Sequence, residues 1–316
     1  MAGTLTDLAV ATRLAGKAIA RRLRSDVEPP PNLDDFTHGM GRLLDTAPAG
    51  IIRDSAWLGM PASQPPWVGC GLHLEPGDEI SYFVAGRAYA NRALDIYVNP
   101  ELQVWCRIGA QGAIFRGTRT THSFRAETGG ELSFGNYFPN DWADSTGNRK
   151  QDDAVYKQVS GELRILALRW AGSAEEGLAA LAATGDYQGL LAAELQRLRH
   201  PPAAPTGWTY LWHLGPAEIF REQPGDDGQP CIHCWTNSDV GILQRAVDLP
   251  LTDDSELSGR WRVDNLPIDL REDSVPSHDS LSIAIEFDNG RDITSYWSSE
   301  LPEGTGYDCP LPNWQG

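Results

Sequence analysis

A histidine beside carboxylates is the feature of this sequence best suited to chemistry. His278 and Asp279 open the stretch SHDSLSIAIEFDNGRDITSYWS (residues 277–298), with Glu272 and Asp273 just before it and Glu286 and Asp288 inside it. Imidazole changes charge near neutral pH and a carboxylate can orient it, so His278, Asp279 and Glu286 are candidate acid–base residues. A loop preceding a strand is a usual place for such groups. A competing account needs no reaction: Asp279 caps its loop, and Asp288 pairs with Arg291. The sequence carries no nucleophile elbow, phosphate loop or dinucleotide fingerprint, so the acid–base reading is limited to hydration, elimination or hydrolysis.

The element that must position these groups is a hairpin. Leu281, Ile283, Ile285 and Phe287 alternate as in a strand, and Asn289-Gly290 is a dipeptide that readily forms a two-residue turn. That loop pairs Asp288 with Arg291, Glu286 with Ile293, Ala284 with Ser295 and Ser282 with Trp297. Ile283, Ile285 and Phe287 then face a core, and Glu286, Asp288, Arg291, Ser295 and Trp297 share the other side. Charge beside an indole suits a ligand surface, with Asp288, Arg291 and Trp297 as its binding residues; a solvated outer face is the alternative. Further upstream, Cys231-Ile-His-Cys234 has metal-like spacing, but no second cysteine pair closes a zinc site, and buried thiols are expected there.

Composition narrows the classes. A chain of 316 residues points to two domains, and a net charge of −17 argues against nucleic acid as a general partner. The positive charge is concentrated at the start, where Arg13, Lys17, Arg21, Arg22 and Arg24 face Asp7 alone. Five cysteines do not form a disulfide framework, and no secretory signal or membrane-length apolar run is visible, which makes the cytoplasm the default. Residues 4–24 read as a basic amphipathic helix. It either makes peripheral contact with an anionic membrane or docks on acidic protein surface.

From Trp57 to Trp170, short strands alternate with Gly, Pro, Asn and Asp, the rhythm of a β-sandwich or jelly roll. Strands are expected at 80–85, 94–98, 104–108, 113–116, 122–126, 131–137 and 163–170. His122 shares a face with Phe124 and Ala126 and reads as a packed, hydrogen-bonded histidine. The segments WVGCGLHLEPGDEISYFVAGRAY, VWCRIGAQGAIF and SFRAETGGELSFGNYFPNDWADSTGN resemble the galactophilic bacterial lectin type of galactose-binding-like jelly roll. The resemblance implies a calcium ion held by Asn140, Asp141, Asp144 and Asn148, with a backbone carbonyl from Tyr89. Calcium takes six to eight oxygens, which an Asn/Asp loop can provide. The long sugar-contacting loop of those lectins corresponds here only to the short segment 91–103. The structure-only alternative is that Asp141 and Asp144 cap turns.

Residues 173–199 are expected to be helical, broken at Gly185-Asp186, and 201–205 form a proline linker. A second β-sandwich follows in 206–316. Its segments VGILQRAVDLPL, WRVDNLP, HDSLSIAIEFDNGRDITSYWS and CPLP resemble an uncharacterised bacterial family. Members of that family run on beyond this point, so the resemblance implies missing strands and an open sheet edge, through which copies of the chain can pair. The expected organisation is a helical arm and linker (1–50), a jelly roll (51–172), a helical connector (173–205) and the second sandwich (206–316). The first functional expectation is a cytoplasmic binding protein for a small hydroxylated or aromatic ligand. The rivals are an acid–base enzyme and a membrane-surface accessory protein.

Overall fold

The computed structural model describes residues 2–23, 29–137, 142–150, 152–236, 239–266, 269–274 and 281–309. The chain is mainly β, with several antiparallel sheets and an N-terminal helix. It divides into a larger unit, Pro29–Ala246, and a smaller one that joins Met1–Glu28 to Val247–Gly316.

In chain order the elements begin with helices α1 (Ala2–Leu23) and α2 (Leu33–Asp45) and strands β1 (Ile52–Pro61), β2 (Val68–Leu74), β3 (Glu79–Asn91) and β4 (Ile96–Val98). The short helix α3 (Pro100–Gln103) leads to β5 (Val104–Ile108), β6 (Thr121–Arg125), β7 (Gly130–Asn136) and β8 (Ser160–Trp170), then helices α4 (Ala174–Ala182) and α5 (Leu190–Arg199). One sheet runs β1-β8-β3-β4 with β6 also paired to β3, and the other runs β2-β7-β5. The expected 113–116 strand is only a bridge between Cys106 and Phe115, whereas β1, β2 and α2 are additional elements.

Strand alternation separates two apolar layers. Ile80, Tyr82 and Val84 of β3 and Leu163, Ile165 and Ala167 of β8 face the second sheet, where they meet Cys106, Leu132 and Phe134. The opposite face of the same strands carries Phe83, Leu166, Leu168 and Trp170, covered by Phe36 and Met40 of α2, Leu178 and Leu181 of α4, and Leu191 of α5. Burial on both faces makes β3 and β8 the centre of the larger unit. Helix α4 starts at Ser173, whose hydroxyl accepts from the Glu176 amide at 3.2 Å, and Gly185 breaks the helical run as expected.

Beyond α5 the chain forms β9 (Thr209–Tyr210), β10 (Phe220–Pro224), β11 (Pro230–Cys234), β12 (Leu243–Gln244), β13 (Ser282–Glu286) and β14 (Asp292–Tyr296). They pair as three separate two-stranded ladders, β9 with β12, β10 with β11 and β13 with β14. A closed second sandwich is not formed among the described residues. Cys231 and Cys234 on β11 are exposed rather than buried, because nothing among the described residues covers that ladder. In the smaller unit, Arg13 of α1 meets Asp269 at 3.4 Å and Glu300 at 3.1 Å, and Lys17 also pairs with Asp269. The basic side of this helix thus lies on acidic residues of the same unit, while Leu8 and Ile19 are exposed. Among the described residues no helix is long and apolar enough to cross a membrane.

Candidate functional site

The outer face of the five-stranded sheet changes character along its length. After Phe83 and Ala85, β3 places Arg87 and Tyr89 on this face, opposite Glu162 and Ser160 of β8. Between them the two backbones come unusually close. Gly86 and Gly161 adopt φ of +119° and +110°, and a Cβ on either would press into a carbonyl oxygen of the facing strand. Only glycine fits such a contact, and it leaves backbone without a side chain between the two strands.

That bare backbone floors a cleft of about 380 Å³, walled by Pro30, Pro31 and Leu33 on one side and by Arg87, Tyr89, Arg92 and Glu162 on the other. Sheet pairing brings Tyr97 of β4 opposite Tyr89, with ring centroids 5.7 Å apart and nearly edge to face. Each tyrosine carries a guanidinium: Arg87 lies 4.1 Å from the centre of the Tyr97 ring, and Arg92 lies 4.4 Å from that of Tyr89. The result is an Arg–Tyr–Tyr–Arg row held by two cation–π contacts and one ring–ring contact. Arg87 is only 5% exposed, whereas Arg92 is at the surface. Glu162 is the carboxylate among the described lining residues, and Arg164 holds it at 2.8 Å. This arrangement brings guanidinium groups, aromatic rings and backbone free of side chains to one cleft, the kinds of group that recognition sites use.

The hairpin that the sequence singles out has a different register. Ser282 pairs with Tyr296, Ile283 with Ser295, Ile285 with Ile293 and Glu286 with Asp292. The loop holds three residues, not two: the Phe287 amide donates to the Arg291 carbonyl at 2.8 Å, and Gly290 alone takes positive φ (+77°). This is a type I turn followed by a left-handed glycine, one of the common three-residue hairpin loops. A one-residue slip turns one strand over relative to the other. Arg291 and Trp297 therefore fall on the face of Ile283 and Ile285, and Glu286 lies on the opposite face beside Asp292 and Thr294. The expected grouping of Glu286, Asp288, Arg291 and Trp297 on one side is not formed. Ile283, Ile285 and Ile293 are exposed instead of facing a core, and Trp297 meets Trp261 edge-on at 5.5 Å. His278 and Asp279 lie outside the described residues. Glu272 is buried and accepts from the Ser298 hydroxyl.

The Asn/Asp loop divides in the same way, since Asn140 and Asp141 lie outside the described residues. The carboxylate of Asp144 accepts from the Thr146 amide (2.9 Å) and hydroxyl (2.6 Å) and from the Asn148 side-chain amide (2.8 Å). These bonds, those from Thr146 first, lower its pKa to about 2. Both Asp144 oxygens are thus engaged by its own loop, Oδ1 by Thr146 and Oδ2 by Asn148. Tyr89 is buried within the Arg–Tyr row. Among the described residues no group of three or more His, Cys, Asp or Glu side chains is placed to hold a metal.

Two features escaped the sequence reading. One is the cleft itself, whose signal was GRAYANR: a glycine followed by Arg and Tyr two apart on one strand face. The other is a buried polar seam beneath α5. Glu194 accepts from Arg197 at 2.6 Å and from the Thr121 hydroxyl at 2.7 Å, while Arg197 also donates to the Ser123 carbonyl. Burial raises the Glu194 pKa, but Arg197 and the hydroxyl partners outweigh it and hold the group below its usual range. The Glu-x-x-Arg spacing within the leucine-rich helix was the available clue. On the other side of β6, His122 packs among Tyr82, Phe115 and Phe124, as expected for a packed histidine, although its Nδ1 has no hydrogen-bond partner. Burial first, then the Arg197 charge, lowers its pKa to about 4.

Residues 220–307, which span β10 to β14, match the family described as Protein of unknown function (DUF3047). Among curated proteins none matches significantly. Of solved structures, the EclA N-terminal domain, described as a PllA-like lectin, is 14% identical with a TM-score of 0.28, covering 39% of this chain and 99% of its own. A functionally unknown conserved protein mutant from Bacillus anthracis str. Ames is 11% identical with a TM-score of 0.22, covering 41% of this chain and 26% of its own. The lectin-like and unknown-family resemblances read from the sequence both recur here.

Proposed function

We propose that this chain is a binding protein for a small hydroxylated or aromatic ligand, taken into the cleft on the outer face of the five-stranded sheet. The observation that carries the reading is the Arg–Tyr–Tyr–Arg row beside a floor that holds a glycine from each of two paired strands. Aromatic faces and fixed donors around bare backbone let a flat or hydroxylated molecule approach closely. Glu162, the carboxylate among the described lining residues, is ion-paired with Arg164, which suits a recognition surface.

The test is a thermal-shift screen of polyols, sugars and aromatic compounds, with each hit titrated by calorimetry against the wild type and two variants. Arg92→Ala removes an exposed cation, and Leu33→Trp fills the cleft wall. The expected result is at least one hit whose affinity falls about tenfold or more in both variants, the scale of one lost charge-assisted contact. Hits unaffected by either substitution, or no hits, would remove the cleft as the binding site.

A further inference from the structure

We infer that Cys231 and His233 form half of a zinc site, which a second copy of the chain completes with the same two residues. Both lie on β11, two apart, so strand alternation sends their side chains from one face, with Cα atoms about 6–7 Å apart. Zinc bonds a thiolate at about 2.3 Å and an imidazole at about 2.0–2.1 Å, so two such neighbours reach a single ion. Cys234, the other half of the Cys-x-x-Cys spacing, leaves the opposite face, with Phe220 across from it. The strand therefore joins Cys231 to the histidine and not to the second cysteine.

All five residues of β11 are exposed, and among the described residues β11 pairs with β10 alone. Cysteine is among the residues most often fully buried, so a free thiol in the open beside an exposed imidazole departs from what packing favours. A structural zinc site takes four ligands, and among the described residues no third His, Cys, Asp or Glu joins this pair. A twofold axis brings the identical patch of a second copy against the first and doubles two ligands to four. The ligand pair that one chain lacks is thus present in two. Trp235 continues the same face: its amide donates to the Ile219 carbonyl at 2.9 Å, and the residue is 70% exposed. An open indole beside the ligands gives such a pairing apolar area to bury. Across the ladder Gln223 stands opposite Cys231, and Arg221 opposite His233. One zinc ion with two thiolates and two neutral imidazoles carries no net charge, so the exposed Arg221 is not repelled by it.

The test uses the full chain without an affinity tag, kept reduced and freed of metal with a chelator. Zinc is titrated by calorimetry, molar mass is followed by light scattering, and cobalt then replaces zinc so that its absorption reports the ligands. The expected result is one zinc ion per two chains, with a doubling of molar mass that the chelator reverses. Cobalt should show the intense visible bands of a tetrahedral site and a thiolate charge-transfer band. Cys231→Ser and His233→Ala should each weaken zinc binding by about 100-fold or more, beyond the roughly 10–100-fold typical of losing an outer-shell partner. Cys234→Ser should leave both zinc binding and the mass change intact. All three positions are exposed, so the variants keep the fold, which a thermal melt verifies. Zinc bound equally well by Cys231→Ser, or lost in Cys234→Ser, would overturn the ligand assignment. One ion per chain, or a mass that zinc leaves unchanged, would overturn the shared centre. No zinc binding at all would overturn both.

Discussion

The sandwich of β1–β8 and the hairpin of β13 and β14 are written in the same sequence language, alternating apolar and polar residues, but they end in opposite environments. In the sandwich both apolar sets of its central strands are covered: Ile80, Tyr82 and Val84 by the second sheet, and Phe83, Leu166 and Leu168 by three helices. In the hairpin Ile283, Ile285 and Ile293 lie open, while Ser282, Thr294 and Tyr296 of the other face are the more buried set. Alternation decides which residues share a face, and covering layers decide which face is a core. A two-stranded ladder has no such layer of its own. The comparison also locates the cleft, because it lies where the helical cover of the sandwich's outer face ends and Arg87 and Tyr89 replace apolar residues.

A matched pair of truncations separates the covered sheet from the open hairpin. Phe83→Ala removes a fully buried ring and should cost about 3–5 kcal/mol in the unfolding of the larger unit. Ile293→Ala, at a position 60% exposed, should change stability by no more than about 0.5 kcal/mol. Denaturant melts of both variants check this. An Ile293→Ala cost comparable to that of Phe83→Ala would mean that the hairpin face is covered after all.

A smaller effect tests the interior of the sandwich alone. His122 has its pKa lowered to about 4 by burial and by Arg197, so the folded state resists protonation that the unfolded chain accepts. Between about pH 6.5 and 4 the unfolded chain binds more protons. The stability contributed by neutral His122 is therefore complete above about pH 6.5 and is lost as pH falls toward 4. That loss should reach about 2–3 kcal/mol at pH 4. Thermal melts of wild type and His122→Phe from pH 7 to 4 should diverge in slope, the variant being less acid-sensitive. Parallel slopes would show that the imidazole is solvated.

Much of the sandwich was legible because strands buried on one or both faces must alternate or run apolar. β5, β6, β7 and β8 lie close to where the pattern puts them. Helix α2 was not legible, because its sequence carries Gly39 and Gly41, poor helix formers. Gly39 is explained only by tertiary structure, since the Tyr187 ring occupies the space a Cβ would need. The hairpin register failed for a local reason: Asn289-Gly290 reads as a two-residue turn, yet the turn takes in Asp288 and only Gly290 needs positive φ. The cleft was out of reach from the sequence because Tyr97 joins Tyr89 through β3–β4 pairing, and Gly86 lies against the Glu162 backbone, as Gly161 does against that of Arg87, across strands some seventy-five residues apart. The side chains were visible in the sequence, but their juxtaposition depends on the sheet.

The most direct test of the central claim, that the cleft of the sandwich and not the hairpin is the binding site, is hydrogen–deuterium exchange with and without the best binder from the calorimetric series. Added protection is expected only in peptides covering residues 85–92 and 159–164 and the start of α2, with 281–298 exchanging at the same rate in both states. Protection appearing in 281–298 while 85–92 and 159–164 stay unchanged would contradict it.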